Sequence, residues 1–319
     1  MLGPHDVGHR IVVRRIVGLR DDRPLFSDLL GELVELSETT VIVRTKSGLV
    51  QVPLKSIIRA KRVPDRRRLS ATESVELAAA AGWPATESAR LGDWWLRASS
   101  GWTMRGNSAL PIGDPDRPLD AAIDAVAAWY RERGLPPAIS VPVPLRAGLG
   151  AELDRRGWVA QPTTLVMTAP LAALDPPRRA EEVRLDPAPS EAWLAIAASR
   201  KKSLPDTALA ILTGVPEVRF AMVYGEQRAP IATARGVVAD PDRRWLGISL
   251  LETAPEVRRQ GYAGHVVGAL VEWARGLGAR DAYLQVEERN GPAVGLYERL
   301  GFTVHHSYVP RVLKAGPPS

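Results

Sequence analysis

One junction constrains this chain more than any other feature. A β-prone run, Trp245 to Thr253, passes through Ala254-Pro255-Glu256-Val257 into Arg258-Arg259-Gln260-Gly261-Tyr262-Ala263, where an apolar-periodic helix opens and runs to Gly276. A strand that turns through glycine into a helix makes an anion site. Glycine lets the backbone approach closely, the first helical N–H groups have no internal partner, and the helix dipole favours negative charge. A pyrophosphate fits such a turn, and Arg258 and Arg259 add charge beside it. A basic flank beside a glycine turn is also common in ordinary loops, so both readings stand on these six residues alone.

Helix and strand patterns alternate on both sides of the junction. Ser190 caps a helix reaching Ser199, and Arg219–Tyr224 and Ile231–Val238 read as strands preceding Trp245–Thr253. Gly225-Glu226 and Asp240-Pro241-Asp242 supply the turns. The Gly261–Gly276 helix, with Val266, Ala269, Leu270 and Trp273 on one face, stops at Gly278. A buried-type strand follows over Ala282–Val286, then a helix over Pro292–Leu300 ended by Gly301, then a strand over Thr303–Val309. Asn290, Ala293, Tyr297, Gly301 and Phe302 form the pattern N-x-x-A-x-x-x-Y-x-x-x-G-F. Ala293, Tyr297 and Leu300 share one helical face. Taken alone, Tyr297 reads as a packed amphipathic aromatic.

The two elements in this order resemble the GNAT superfamily of acetyl-CoA-dependent N-acetyltransferases. The superfamily signature (Q/R)-x-x-G-x-(G/A) matches Arg258, Gly261 and Ala263, and the resemblance covers about 183–311. The chain also resembles the actinobacterial group described as histone acetyltransferases, whose members carry an SH3-like N-terminal domain. The resemblance implies that backbone N–H groups from Arg259 to Gly264, through Gln260, Gly261, Tyr262 and Ala263 and with Arg258 beside them, hold the coenzyme A pyrophosphate. It implies that the strand edge from Leu251 to Thr253 bonds the pantetheine arm and polarises the thioester carbonyl. Tyr297 would protonate the departing thiolate, whose basicity a phenol matches. Asn290 would bond the cofactor arm or brace the helix start. Glu252 and Glu287 are the candidates for the base that deprotonates an ammonium acceptor. Glu287-Glu288 reads more readily as a solvated loop pair, and several superfamily members deprotonate through water.

Charge separates the N-terminal segment from the rest. The chain has 319 residues and a formal net charge of +6. Residues 1–70 hold 14 Lys+Arg against 8 Asp+Glu, and the remainder is balanced at 28 against 28, so the whole excess belongs to the first segment. Five short β-prone runs lie there: Ile11-Val12-Val13, Leu29–Leu36, Thr40–Arg44, Leu49–Pro53 and Ile57–Val63. They are separated by Gly18, Asp21-Asp22, Ser37-Glu38 and Lys46-Ser47-Gly48. Five short strands in so few residues are expected to close as a small, SH3-like barrel. Its basic face, with Arg14, Arg15, Arg59, Lys61 and Arg62, reads first as a solvated docking surface. The sharper reading is a weak contact to nucleic acid or another anionic partner, against which stands the sparse aromatic content (Phe26 alone).

The middle block carries a faint repeat of the C-terminal one at an offset of 144 residues. Ala125, Trp129, Arg131, Gly134, Ala138, Arg155 and Gly157 match Ala269, Trp273, Arg275, Gly278, Ala282, Arg299 and Gly301. The functional residues do not repeat: Gly261 falls on Arg117, Ala263 on Leu119, Asn290 on Arg146 and Tyr297 on Leu153. The middle block thus reads as a GNAT-like half that keeps the scaffold and lacks the cofactor site. Six of the nine tryptophans lie in it, and core packing explains most of them better than a ligand cage. Arg105, Asn107 and Ser108 fall opposite the fourth strand of the active half, at a shared cleft.

The expected fold is therefore an SH3-like β-barrel (1–66), a linker (67–71), a degenerate GNAT-like domain (72–172), a linker (173–182) and a catalytic GNAT domain (183–319) with a mixed central sheet flanked by helices. The absence of cysteine excludes disulfides, thiolate nucleophiles and iron–sulfur clusters. The five histidines lack metal-ligand spacing, so no metal is expected. No run approaches a membrane span and the N-terminus shows no apolar signal region, so a soluble cytoplasmic protein is the default expectation. The expected function is acetyl transfer from acetyl-CoA to a primary amine, either a protein lysine, including a histone-like one, or a small amine. The alternative is a non-catalytic acyl-CoA-sensing or nucleic-acid-associated regulatory protein on the same scaffold.

Overall fold

The computed structural model describes residues 2–20, 23–45, 47–63, 69–198, 204–225, 229–240, 242 and 244–314. The chain forms two compact units, Met1–Leu69 and Ser70–Ser319. The expected turns at Asp21-Asp22, Lys46, Glu226 and Pro241, the helix end at Ser199 and the stretch 64–68 lie outside the described residues.

The first unit contains β1 (Arg10–Arg20), β2 (Arg23–Leu36), β3 (Thr40–Thr45), β4 (Gly48–Pro53) and β5 (Ile57–Arg62) in the antiparallel order β4-β3-β2-β1-β5. All five expected strands are present. Gly18 is not a turn; it lies inside β1 at a register shift against β2. Such bulges bend long strands around a core, here Ile11, Val13, Leu33, Val41, Val43 and Val52. Among the described residues no ladder joins β4 to β5. The expected closed SH3-like barrel is thus not shown, and the unit is an antiparallel sheet with two outer edges. Its cations are partly answered within the sheet: Arg14 donates two 2.8 Å bonds to Asp28 across the strand pair, and Arg62 meets His9 at 2.7 Å. The nucleic-acid reading gains no support from this surface.

The second unit opens with α1 (Ala71–Ala81). Ser70 accepts the Glu73 N–H while the Glu73 carboxylate accepts the Ser70 N–H, a reciprocal cap that places the helix start inside the stretch expected as linker. There follow β6 (Glu87–Leu91), β7 (Trp94–Ala98), α2 (Leu119–Arg131), β8 (Ala138–Val143), α3 (Ala147–Arg155), β9 (Val159–Ala160) and β10 (Thr164–Pro170). The C-terminal part contains β11 (Val183–Asp186), α4 (Glu191–Ala198), α5 (Asp206–Thr213), β12 (Val218–Tyr224), β13 (Pro230–Val237) and β14 (Trp245–Thr253). It ends with α6 (Tyr262–Gly276), β15 (Asp281–Glu287), α7 (Gly291–Arg299) and β16 (Thr303–Val312). Of these C-terminal elements only β11 and α5 had no counterpart in the sequence reading.

The repeat is visible in the element bounds: a shift of 144 carries α3, 147–155, onto α7, 291–299. The sheet shows what the repeat alone does not. One nine-stranded sheet has the order β11-β12-β13-β14-β15-β10-β16-β8, with β9 beside β16. β10, from the middle block, lies between β15 and β16 of the C-terminal block, and β16 in turn pairs with β8 of the middle block. The two blocks have exchanged their last strands. Val166 and Met167 of β10 are fully buried, because both faces of this strand are covered.

A fragment beginning at residue 173 therefore leaves β15 and β16 without the strand that joins them. We expect it to show no cooperative thermal transition by circular dichroism, whereas residues 70–319 melt as one unit. A 173–319 fragment with a sharp melt would contradict the exchange.

Candidate active site

The C-terminal cleft begins where two parallel strands part. β14 and β15 pair from Trp245 opposite Asp281 to Ile248 opposite Leu284, and no further. Along its other edge β14 stays with β13, but its register moves from Ser249–Arg235 to Glu252–Thr233. Three steps on β14 thus match two on β13, which is a bulge, and Leu250 within it has φ 52°. A bulge bends its strand, and β14 diverges from β15. The wedge between them is a cavity of about 960 Å³.

The helix that faces the wedge starts on Gly261, whose φ of 89° is left-handed and suited to glycine. His265 makes the first intrahelical bond back to Gly261, at 3.0 Å, so the N–H groups of Tyr262, Ala263 and Gly264 have no acceptor in the helix. Arg259 also has a left-handed φ, 65°, which a non-glycine residue adopts only when its surroundings hold it there.

What holds this turn is the stretch expected as the second linker. A Cβ on Gly264 would meet Pro177 at 2.6 Å, and one on Gly268 would meet Pro176 at 3.0 Å, so the proline pair lies directly on α6. Arg179 stacks over the Tyr262 ring at 4.0 Å and donates to the Gln260 carbonyl at 2.7 Å. The Tyr262 hydroxyl donates to Glu181 at 2.6 Å, and His265 Nε2 sits 2.7 Å from the Glu181 carbonyl. The Tyr262 hydroxyl, and Arg179 after it, bring the Glu181 carboxyl down to about 2. Residues 173–182 are in this respect a clamp rather than a free tether.

On the opposite wall Asn290 caps α7, its side chain accepting the Ala293 N–H at 3.4 Å. Ala293, Tyr297 and Leu300 all reach the cavity, as their spacing requires, and the Tyr297 ring meets Phe302 edge-on at 6.1 Å. Of the residues singled out from sequence, Leu251, Glu252, Thr253, Arg258, Arg259, Gly261, Tyr262, Ala263, Gly264, Glu287, Asn290 and Tyr297 line this one cavity. Gln260 does not; its amide turns back to the Glu256 carbonyl at 3.4 Å. Glu287 is 52% exposed and bonds Arg289 at 2.7 Å, as a solvated loop pair does.

Arg105, expected at a shared cleft, lines the same cavity, and with it the middle block supplies a third wall whose other members, Trp83, Trp102 and Thr103, were not singled out from sequence. The two indoles stack at 5.4 Å, and the Arg105 guanidinium lies 4.5 Å over the Trp83 ring. Asn107 and Ser108, expected at the cleft with Arg105, are instead buried supports. Asn107 accepts the N–H groups of Ser99 and Gly101 and donates to the carbonyls of Trp102 and Thr103, fixing the loop that carries the wall residues.

Residues 69–310 match the family model described as "Probable histone acetyltransferase Rv0428c C-terminal". The chain belongs to this family. It is 32% identical over 311 residues to the "Probable histone acetyltransferase Rv0428c" of Mycobacterium tuberculosis, covering 94% of this chain and 93% of that one. It is 29% identical over 255 residues to the "Uncharacterized N-acetyltransferase YobR" of Bacillus subtilis, covering 74% of this chain and 98% of the relative. A GCN5-related N-acetyltransferase from Kribbella flavida shares the fold, with a TM-score of 0.60 at 16% identity over 76% of this chain and 95% of that one. So does a tandem GNAT protein from the clavulanic acid biosynthesis pathway, with a TM-score of 0.54 at 14% identity over 77% and 89%. Family membership makes the chain a GNAT-type acyltransferase. Its fold is the mixed α/β GNAT fold in tandem-like form.

The clamp predicts a pH signature. The Glu181 carboxyl lies below its ordinary 4.5 in the folded chain, so its contribution to stability is present above about 4.5 and fades as pH falls toward about 2. Glu181→Gln should lower the urea midpoint at pH 7 and flatten its fall over that acid window. Parallel acid profiles for the two proteins would contradict the clamp.

Proposed function

We propose that the protein is an acetyl-CoA-dependent N-acetyltransferase that transfers acetyl directly to a primary amine. The observation that carries this reading is the convergence on one cavity of the unpaired β14 edge, the α6 N-terminus and Tyr297. The residues present fit coenzyme A. Three N–H groups without helical acceptors face the cavity end beside Arg258 and Arg259, which suits a pyrophosphate. A cavity of about 960 Å³ has room for the pantetheine arm between the parted strands.

In this reading the backbone of Leu251 to Thr253 bonds the pantetheine arm and the thioester oxygen, because past Ile248 this edge has no ladder to β15. The neutral amine nitrogen attacks the thioester carbon, a C–N bond forms, and the C–S bond breaks with its electron pair going to sulfur. Tyr297 donates a proton to that sulfur, and the amine's proton is released toward Glu252. Glu252 is preferred to Glu287, which is the more exposed and is held by Arg289. Asn290 braces α7, so its part is to orient Tyr297. We also assign 72–172 and 183–319 as two GNAT-like halves, the first without a cofactor turn. In the first half Arg146, which stands where Asn290 stands in the second, donates instead to the carbonyls of Pro111 and Gly113.

Tyr297→Phe should lower kcat for thiol release from acetyl-CoA by about 10²–10³, within the range of a lost general acid. Its affinity for acetyl-CoA, read by calorimetry, should stay within about twofold of the parent if the loss lies in proton transfer. Unchanged turnover would remove Tyr297 from the acid role. Lost binding together with lost turnover would make it a packing residue.

A further inference from the structure

The wall that the middle block supplies has a charge that the reaction itself does not require. Arg105 lies half-buried on the cavity and makes no ion pair among the described residues; its guanidinium lies over the face of Trp83. A second guanidinium approaches the same ring: Arg235 of β13 is 1% exposed and 5.5 Å from it. Arg235 donates to the carbonyls of Leu212 and Gly82, while its Nη2 is buried with no partner. A third, Arg97, is buried, and its guanidinium donates to the Ser108 carbonyl and hydroxyl. It shares with Arg105 a small chamber whose wall includes Gln285, a residue that also lines the main cavity. The buried carboxylate of that chamber, Glu76, is bonded to His306 at 2.7 Å. The chamber that Arg105 and Arg97 line thus holds one buried carboxylate, already bonded to His306, and Arg235 adds further positive charge against the Trp83 ring.

An uncompensated positive charge beside a partly desolvated cleft favours an anion. The pyrophosphate end of the cavity is at α6, where Arg258 and Arg259 lie. Arg105 belongs to a different wall, the one built by the middle block. We propose that Arg105, framed by Trp83 and Trp102, binds a carboxylate carried by the acceptor, so that the substrate class is a small amine bearing an acid group. This deepens the acetyltransferase reading and rests on it. The amine is presented on the side of Glu252 and the acid on the side of Arg105. A planar guanidinium already ordered over an indole meets a carboxylate with little further loss of freedom. The same wall disfavours a lysine-rich peptide, whose repeated positive charges would meet Arg105 and the buried arginines behind it. The balance of the step is unchanged: one C–N bond forms, one C–S bond breaks, and the amine's proton leaves as the thiol is protonated.

The test uses the full chain, acetyl-CoA and a panel of amino acids. Each acid is measured beside its decarboxylated amine and its primary amide, and a lysine-rich peptide completes the panel. The expected result is at least one acid whose kcat/KM exceeds that of its amine and amide by about 30-fold or more. Arg105→Ala should bring that ratio close to one, chiefly through KM of the acid, and Arg105→Lys should restore part of it. A ratio near one in the parent protein, faster turnover of the peptide, or silence across the panel overturns the proposal. So does a ratio that survives in Arg105→Ala. Calorimetry with acetyl-CoA alone keeps the two readings apart. If acetyl-CoA does not bind, the acetyltransferase reading fails; if it binds without acid preference, only the acceptor class fails.

Discussion

The ladder that β10 makes with β15 on one edge and β16 on the other is the contact on which the second unit depends. Through it neither half closes its own sheet. β10 registers seven residues against β15, from Thr164 opposite Glu287 to Pro170 opposite Asp281, and thereby covers the edge of β15 that faces away from β14. With that edge secured, β14 can leave β15 after four paired residues without exposing the core behind it. The open wedge is thus tolerated because the strand on its far side is borrowed from the other half.

Local geometry then converts the wedge into a site. The bulge at Leu250 is one extra residue, yet it changes which backbone groups are free and breaks the simple alternation of side chains along β14. Leu250, Leu251, Glu252 and Thr253 all border the cavity as a result. On the other side the clamp of Pro176, Pro177, Arg179 and Glu181 fixes the α6 turn, with Pro177 itself at the cavity wall. The strained Arg259 and the left-handed Gly261 are held by contacts that include a stacked guanidinium and a buried phenol. Pre-organisation here comes from a segment that composition alone marks as connector.

Much of this was legible in the residues because the turn chemistry is local. Gly261, Gly278 and Gly301 all adopt the left-handed φ that their helix-boundary positions suggested, and Ser190 caps α4 as expected. The bulge in β14 was not legible. A bulge is set by pairing with β13, and no single strand announces it. The strand exchange was beyond reach for the same reason: the repeat offset shows that two halves are alike, not which half owns a neighbour. The packing of residues 173–182 and the edges of the N-terminal sheet were hidden for another reason. Pro176-Pro177 reads as a break in periodicity whether it dangles or packs, and five short strands form a sheet whether or not its edges meet. Trp83 and Trp102 carry no pattern that separates a core indole from one at a cavity wall.

On the proposed division into two GNAT-like halves, the first keeps its packing and lacks the turn, and the substitutions show how. Leu153, standing where Tyr297 stands in the other half, is fully buried, so the position that projects a phenol into a cavity in one half fills a core in the other. Arg146 ties the loop at Pro111 and Gly113 to the start of α3, closing the place where the active half is open. On that proposal the first half, with no cofactor turn to keep, is free to present something else. Its loop from Ser99 to Ser108 is organised by four hydrogen bonds to the Asn107 side chain, all to backbone, so the carriage of Trp102 and Arg105 does not depend on what they touch. In this architecture the middle-block wall and the α6 turn are therefore separate in sequence and joined through the exchanged strands and through direct contacts such as that of Arg235 with the Gly82 carbonyl.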